Sequence, residues 1–569
     1  MLGRNQRIQH YKRNPDISVL VIGAGINGIG VFWDLALQGV DVLLIDRSDY
    51  SSGASAASSH MAHGGIRYLE NGEFRLVREA VQERNRLIEN APHLVKPLPT
   101  TFPIFKLFSG ILNAPLKFLG MLDRPSERGA LVIKIGMTLY DFFTHKQGTV
   151  PKHRFLNRER SLEKFSELNP TILYTGTYYD GAIRSPERIA IELLTDAASY
   201  NKHAIPLNYV SAEKVNEDVI VLCDEISGES FTVKPNVVVN AAGPWIDRVN
   251  HKLNRNTSYI GGTKGSHLVL DHPELSRSIK GHEFFFENND GRIVLIFPLE
   301  ERVLIGTTDI RIDDPDAAII TEEEVRYFIE MIRRVFPAIK VEERHIVFTF
   351  SGVRPLENSG TNFTGQISRD HKIEIDEIGG IDSIPVLSLV GGKWTTFRAL
   401  AEQTSDRILG MLGRARNNST ECVKIGGGKD YPIAEKDRSL WISKVSRNMG
   451  LDEKRVETLL KRYGTRAEEI ADFISSDIDM ALTNYPSYSR SEIAYIVQHE
   501  DVVHLDDFLL RRSMIGMLGL CSREGLEEVG QVIGGVLDWS ESKIQNEIQR
   551  TIHILRVNHK MGFDGYCPD

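Results

Sequence analysis

Ile17-Ser-Val-Leu-Val-Ile22 runs straight into Gly23-Ala-Gly25-Ile-Asn27-Gly28, then Ile29 to Gln38, Gly39, and Val40-Asp-Val-Leu-Leu-Ile45-Asp46. The first run is short, apolar and β-branched, as a buried parallel strand requires. Ile29–Gln38 reads as a helix stopped by Gly39. The last run is a second buried strand ending on an acid. In this order each glycine has a job: Gly23 permits the tight turn, Gly25 lets a pyrophosphate approach the backbone, and Gly28 lets helix and strand pack closely. The helix N-terminus offers free N–H groups to phosphate. Asp46 stands about 20 residues on, where a carboxylate accepts from ribose hydroxyls. The stretch predicts a dinucleotide-binding βαβ unit in an α/β protein.

Working outward, residues 51–68 read Ser-Ser-Gly-Ala-Ser-Ala-Ala-Ser-Ser-His-Met-Ala-His-Gly-Gly-Ile-Arg-Tyr. Side chains this small let the backbone lie against a large planar ligand. His60, His63, Arg67 and Tyr68 cluster at its end. A plain loop does not explain that clustering.

The chain has 569 residues, enough for two or three domains, with 41% apolar and 25% charged residues. Those values fit a globular protein and exclude disordered or fibrous classes. The net charge of −9 disfavours a nucleic-acid partner. No apolar run is long enough to span a bilayer. Cys223, Cys422, Cys521 and Cys567 form no CxxC pair, so neither a disulfide scaffold nor a zinc site is expected. Arg4, Arg7, Lys12 and Arg13 precede no apolar stretch and read as a mobile basic arm rather than a secretory signal.

Ala62-His-Gly-Gly-Ile-Arg-Tyr-Leu69 resembles a signature of the FAD-dependent glycerol-3-phosphate dehydrogenase family. So, in order, do Val237-Val-Val-Asn-Ala-Ala-Gly-Pro-Trp245, Lys264-Gly-Ser-His267, Gly306-Thr-Thr-Asp309, Ser351-Gly-Val-Arg-Pro355, Ser368-Arg-Asp370 and Gly391-Gly-Lys-Trp-Thr-Thr396. The resemblance implies FAD as cofactor. It assigns cofactor contacts to Gly23, Gly25, Asn27, Gly28 and Asp46, and to Ser55, Ser58, His60 and Met61. Further contacts fall to Val210, Gly243 and Trp245, and to Gly392, Lys393 and Thr395. It also implies oxidation of sn-glycerol 3-phosphate, with a membrane quinone taking the electrons. The oxidases of the family tend to carry a long insertion, which is not seen between residues 355 and 390. Erythritol-phosphate dehydrogenases share the motifs, so another polyol phosphate and O2 as acceptor stay open as alternatives.

The expected architecture is a discontinuous Rossmann-like FAD-binding domain (residues 1–100, 180–263 and 346–420), an antiparallel-sheet substrate domain (101–179 and 264–345) and an all-helical C-terminal domain (430–569). Glu322 to Val335 carries acids in its first turn and arginines in its last, matching a helix dipole. Ser540 is placed to cap a helix whose Ile544, Ile548, Ile552 and Leu555 share one face. Arg511 and Arg512 read as a solvated or dipole-matching pair.

Alcohol oxidation by a flavin needs a hydride path, a base and fixed cations. Catalytic candidates are His63, His267, Arg354 and Lys393, with His267 preferred as base and His63 as a flavin-side or substrate contact. Arg67, Arg354 and Arg369 are the phosphate forks, with Tyr68 and Lys393 as further substrate contacts. Residues 102–122 are apolar and aromatic with Lys106 and Lys117 as their only charges. Prolines and glycines forbid one long helix there. Short pieces lying in the face of an anionic membrane are expected, or else a core or homodimer contact. That places the protein in the cytoplasm, peripherally on the inner face of the cell membrane.

Overall fold

The computed structural model describes residues 3–66, 73–106, 133–134, 136–138, 140–141, 148–287, 293–358, 370–379, 383–476 and 478–563. Arg67, Tyr68, Arg369 and residues 107–122 of the apolar segment lie outside them, as does Cys567.

Strand Asp16–Ile22 sits at the centre of a sheet, between Ser230–Asn240 and Val42–Ile45, parallel to both. The order continues outward to Ala204–Leu207 on one side and through Ile384–Val390 to Lys372–Ile378 on the other. Strand periodicity divides the side chains. Val19 and Val21 pack with Ile29, Phe32 and Trp33 of helix Ile26–Leu37. Leu20 and Ile22 face the opposite core, with Ile8 and Tyr11. That second contact corrects one expectation: the N-terminal residues are not a mobile arm. Arg4–Arg13 is a helix whose apolar residues close the sheet, while Arg7 pairs with Asp501 and Arg4 with Asp224. Composition alone hid the two buried positions between its charges.

A second sheet, mostly antiparallel, lies beside the first. Thr263–Leu270 pairs on one side with Arg302–Gly306 and on the other with Ile346–Arg354; Ile293–Leu299 and Arg302–Gly306 form the expected hairpin. The border drawn at residue 346 therefore moves. Ile346–Arg354 belongs to this sheet along its length, because its Val-Phe-Thr-Phe run buries itself against the 263–270 strand. Val95–Ile104 and Tyr174–Ile183 pair with each other across the borders set at 100 and 180. Phe102 stacks on Tyr178 and Ile104 is buried, so the start of the apolar segment is core rather than surface.

Helix Glu322–Val335 has the predicted bounds. Thr321 accepts from Glu324 N–H, and the Glu324 carboxylate accepts from Thr321 N–H at 2.9 Å.

The remainder is helical, from Glu435–Met449 to Glu541–His559, which Ser540 caps by accepting from Lys543 N–H. Arg511 and Arg512 are buried rather than solvated, which is a second correction. Arg511 Nε donates to Asp49 at 2.5 Å, and Arg512 holds both oxygens of the same carboxylate at 2.5 and 2.9 Å. Arg511 also reaches Asp507. The C-terminal unit is thus tied to the loop that follows Asp46.

Removing Asp49 takes from buried Arg512 the carboxylate it binds with two nitrogens, and the Glu500 carbonyl does not replace that charge. Asp49→Ala should cost about 3–5 kcal/mol, read by chemical denaturation. Burial alone would raise the Asp49 pKa, but Arg512 and Arg511 overcome it and hold the carboxyl below its usual range. A depressed carboxyl contributes stability that is fully present above its unfolded pKa and is lost as pH falls through the folded one. The difference between wild type and variant should therefore shrink below about pH 4.

Candidate active site

The glycine turn forms where the central strands end. Gly23 has φ +104°, and a Cβ on Gly28 would lie 1.9 Å from the Gly23 carbonyl oxygen. Asp46 braces the turn, accepting from Ala24 N–H at 2.7 Å and Ser48 N–H at 2.9 Å. Burial raises its carboxyl to about 6 against the pull of those two N–H groups. Val210 N–H donates to the Asp46 carbonyl at 2.7 Å. Ser55 Oγ accepts from Ile26 N–H at 2.9 Å, and the Ser55 carbonyl accepts from Trp394 Nε1 at 3.0 Å. Asn27 Nδ2 donates to the Gly391 carbonyl at 3.1 Å. Thr395 Oγ1 accepts from His63 N–H at 3.0 Å. The early glycine turn, the small-residue loop and the late Gly-Gly turn thus meet, though the late turn lies 332 or more residues along the chain from its partners in the other two.

Gly243 has φ +57° and open space where a Cβ would stand. Trp245 leans on Gly53, donates from Nε1 to Asp316 at 2.9 Å and carries the Arg47 guanidinium 4.7 Å from its ring centre. Ser58 Oγ accepts from His60 N–H. The side chains of His60 and Met61 are sealed. His60 Nδ1 donates to the Ile183 carbonyl at 3.1 Å, and Met61 enters the core shared with the C-terminal helices. Only the main chain of these two is left for a ligand.

The other motifs meet on the second sheet. His267 is opposite Gly306 on one neighbour and Phe350 on the other, and its ring stacks on Phe350 at 4.6 Å. A Cβ on Gly306 would be 2.2 Å from the imidazole. Arg354 donates from Nη2 to Thr307 Oγ1 at 2.8 Å, and from Nη1 to the Thr308 carbonyl at 3.1 Å and Asp309 at 3.2 Å. Gly265 admits that guanidinium, since a Cβ there would lie 2.3 Å from it. Lys264 faces the far side and binds Glu324, which also accepts from Ser266 and Thr308. His63 and Lys393 are half-buried, on the loop and the late turn.

The FAD dependent oxidoreductase family matches residues 18–396, and the C-terminal domain of alpha-glycerophosphate oxidase matches residues 418–544. A glycerol-3-phosphate dehydrogenase of Synechocystis sp. is 33% identical over 96% of this chain and 97% of its own length. One from Pseudomonas aeruginosa is 30% identical over 88% and 92%. The chain belongs to the FAD-dependent glycerol-3-phosphate dehydrogenase family. The solved glycerol-3-phosphate dehydrogenase from Bacillus halodurans complexed with FAD shares the fold, with a TM-score of 0.75, 23% identity and 98% of both chains covered.

FAD is the cofactor of this dehydrogenase family member, and its residues fit the group. Each Asp46 oxygen accepts one backbone N–H and keeps a lone pair for a ribose hydroxyl. The open Gly243 and the positive end of helix Ile26–Leu37 leave a backbone surface suited to a pyrophosphate. At Gly392, φ is +95° and a Cβ would strike Asn27 at 2.4 Å, so the late turn closes only with glycine.

Sequence reading missed the support beneath His63. Gly64 N–H donates to both Tyr140 Oη and Asp180 at 3.0 Å, and buried Arg84 binds the same two groups. Arg84 lies in a charged helix, Phe74–Asn90, where an arginine reads as surface. Ser59 was also missed: in a run of serines nothing distinguishes it, yet its Oγ stands 2.8 Å from His267 Nε2.

Proposed function

We propose that this chain oxidises sn-glycerol 3-phosphate to dihydroxyacetone phosphate and passes the electrons to a quinone. The observation that carries the reading is the Arg354 guanidinium, a planar fork held over the Thr307–Asp309 turn of the second sheet. Bound FAD supplies the hydride acceptor. The chain's own groups do the rest. Arg354 binds the phosphate, joined by Arg67 and Arg369 from the matching motifs, with Tyr68 as a hydrogen-bond donor. Lys393, beside the late turn, offsets negative charge as it develops. The flavin-binding unit, the sheet unit and the helical unit divide the work as cofactor site, substrate roof and buttress.

The proton of the C2 hydroxyl goes to His63. His267 was the preferred base on sequence, but it is 2% exposed, with Nε2 engaged by Ser59. Burial, and then the Arg354 and His60 charges, push its pKa well below the ordinary value, which suits no base working near neutral pH. His63 is half-buried, so it is not sealed from solvent as His267 is.

A quinone acceptor requires contact with a membrane surface. Among the described residues no helix is long and apolar enough to cross one. Residues 107–122 are the proposed interfacial segment, on their apolar sequence alone.

The test is anaerobic titration of the FAD-loaded protein with glycerol 3-phosphate, followed by a soluble quinone or by O2. Bleaching of the flavin band and rapid recovery with quinone is the expected result. Recovery as fast with O2 favours an oxidase. No bleaching with glycerol 3-phosphate but bleaching with erythritol phosphate moves the substrate.

A further inference from the structure

Two buried imidazoles meet the small-residue loop, and neither is explained by the chemistry above. His60 Nδ1 faces the Ile183 carbonyl, an obligate acceptor, so the proton sits on Nδ1. His267 is enclosed by Phe350 on its face and by Gly306 at its edge. Its Nδ1 is buried and has no hydrogen-bond partner, while Nε2 lies 2.8 Å from Ser59 Oγ. A buried N–H without an acceptor is rarer and costlier than a buried lone pair without a donor. The ring proton is therefore assigned to Nε2, which donates to Ser59 Oγ. Ser59 then cannot spend its own proton on His267. That hydroxyl hydrogen is left for another acceptor, and the serine is only half-buried.

The location matters as much as the tautomer. Ser59 stands where the loop from the first sheet crosses onto the second. Ala57 packs on Gly352 just before it, and His63 follows one short stretch later. The base and the phosphate fork of the proposed reaction flank this seam. The charged and titratable groups facing His267 are Arg354 from the Ile346–Arg354 strand and His60 from the loop. Both discourage a second proton on the ring.

We propose that Ser59, oriented by His267, is the residue that recognises the oxygen on the carbon being oxidised. Its O–H donates to the C2 oxygen. His267 never touches substrate and is a positioning residue. The inference rests on the glycerol 3-phosphate reading and goes beyond it by naming what reads C2.

The test uses the FAD-loaded protein and two ligands that cannot be oxidised. Dihydroxyacetone phosphate has an oxygen at C2; 3-hydroxypropyl phosphate has only CH2 there. Dissociation constants come from perturbation of the oxidised flavin spectrum. Ser59→Ala should weaken the ketone roughly 2–12-fold, the worth of one neutral hydrogen bond, and leave the deoxy ligand unchanged. His267→Gln keeps an N–H donor near the Nε2 position and should retain most of the preference for the ketone. His267→Leu should lose it as Ser59→Ala does. An unchanged ketone preference in a flavin-loaded Ser59→Ala overturns the proposal. So does a histidine 15N spectrum placing the His267 proton on Nδ1. If the wild type binds neither ligand and glycerol 3-phosphate does not bleach it, the substrate reading falls and takes this inference with it. If bleaching is intact and only the preference fails to move, the inference alone is wrong.

Discussion

Gly28→Ala is expected to give a protein that emerges from desalting without FAD. The smallest possible side chain would place its Cβ 1.9 Å from the Gly23 carbonyl oxygen and 3.1 Å from Ala241 Cβ. The first contact is with backbone, so no rotamer change relieves it. Helix Ile26–Leu37 would have to lift off the strand that ends at Ile22, and the N–H groups of its first turn would no longer face the cofactor. Gly25→Ala provides the comparison. Its Cβ would meet only Ser55 Oγ, at 3.2 Å, and φ there is already negative at −74°. The motif alone expects Gly25→Ala and Gly28→Val alike to abolish FAD retention. The geometry separates them: Gly25→Ala should fold normally and lose FAD only as far as the methyl group intrudes on the pyrophosphate. Flavin absorbance per chain and circular dichroism, measured on both variants, check this. Full flavin content in Gly28→Ala would dismiss the turn as the cofactor site.

Local signals in the chain carried much of this. Gly23, Gly28 and Asp46 are readable because the turn needs fixed residue types at fixed spacing. The helix over 322–335 is readable because its acids and arginines follow its own dipole. What depends on distant partners is not readable. Arg511 and Arg512 look like surface charges until Asp49, from the other end of the chain, is set between them. Arg7 looks free until Asp501 is beside it. Ser59 is one serine among several until His267 arrives on a strand from the second sheet. The border at residue 346 failed for the same reason. Ile346–Arg354 is as apolar as a flavin-domain strand, and only its pairing with Thr263–Leu270 decides which sheet it joins.

Arg354→Ala should raise KM for glycerol 3-phosphate, or lower kcat/KM, by roughly 10–150-fold, the range of one charge-assisted contact. The guanidinium is already oriented by Thr307, the Thr308 carbonyl and Asp309, so little freedom is lost when it meets an anion. FAD content should not change, because the arginine sits on the second sheet and the glycine turn on the first. Arg354→Lys should recover only part of the loss. An ammonium restores the charge but not the fork, and it cannot hold Thr307 and the Thr308 carbonyl together while facing a phosphate. Free glycerol supplies the control. It has the same alcohol and no phosphate, so it should be a very poor substrate of the wild type and about equally poor in Arg354→Ala. A variant that loses as much on glycerol as on glycerol 3-phosphate would mean that Arg354 serves the chemistry at C2 or the fold of the Thr307–Asp309 turn, and the phosphate would have to be held elsewhere.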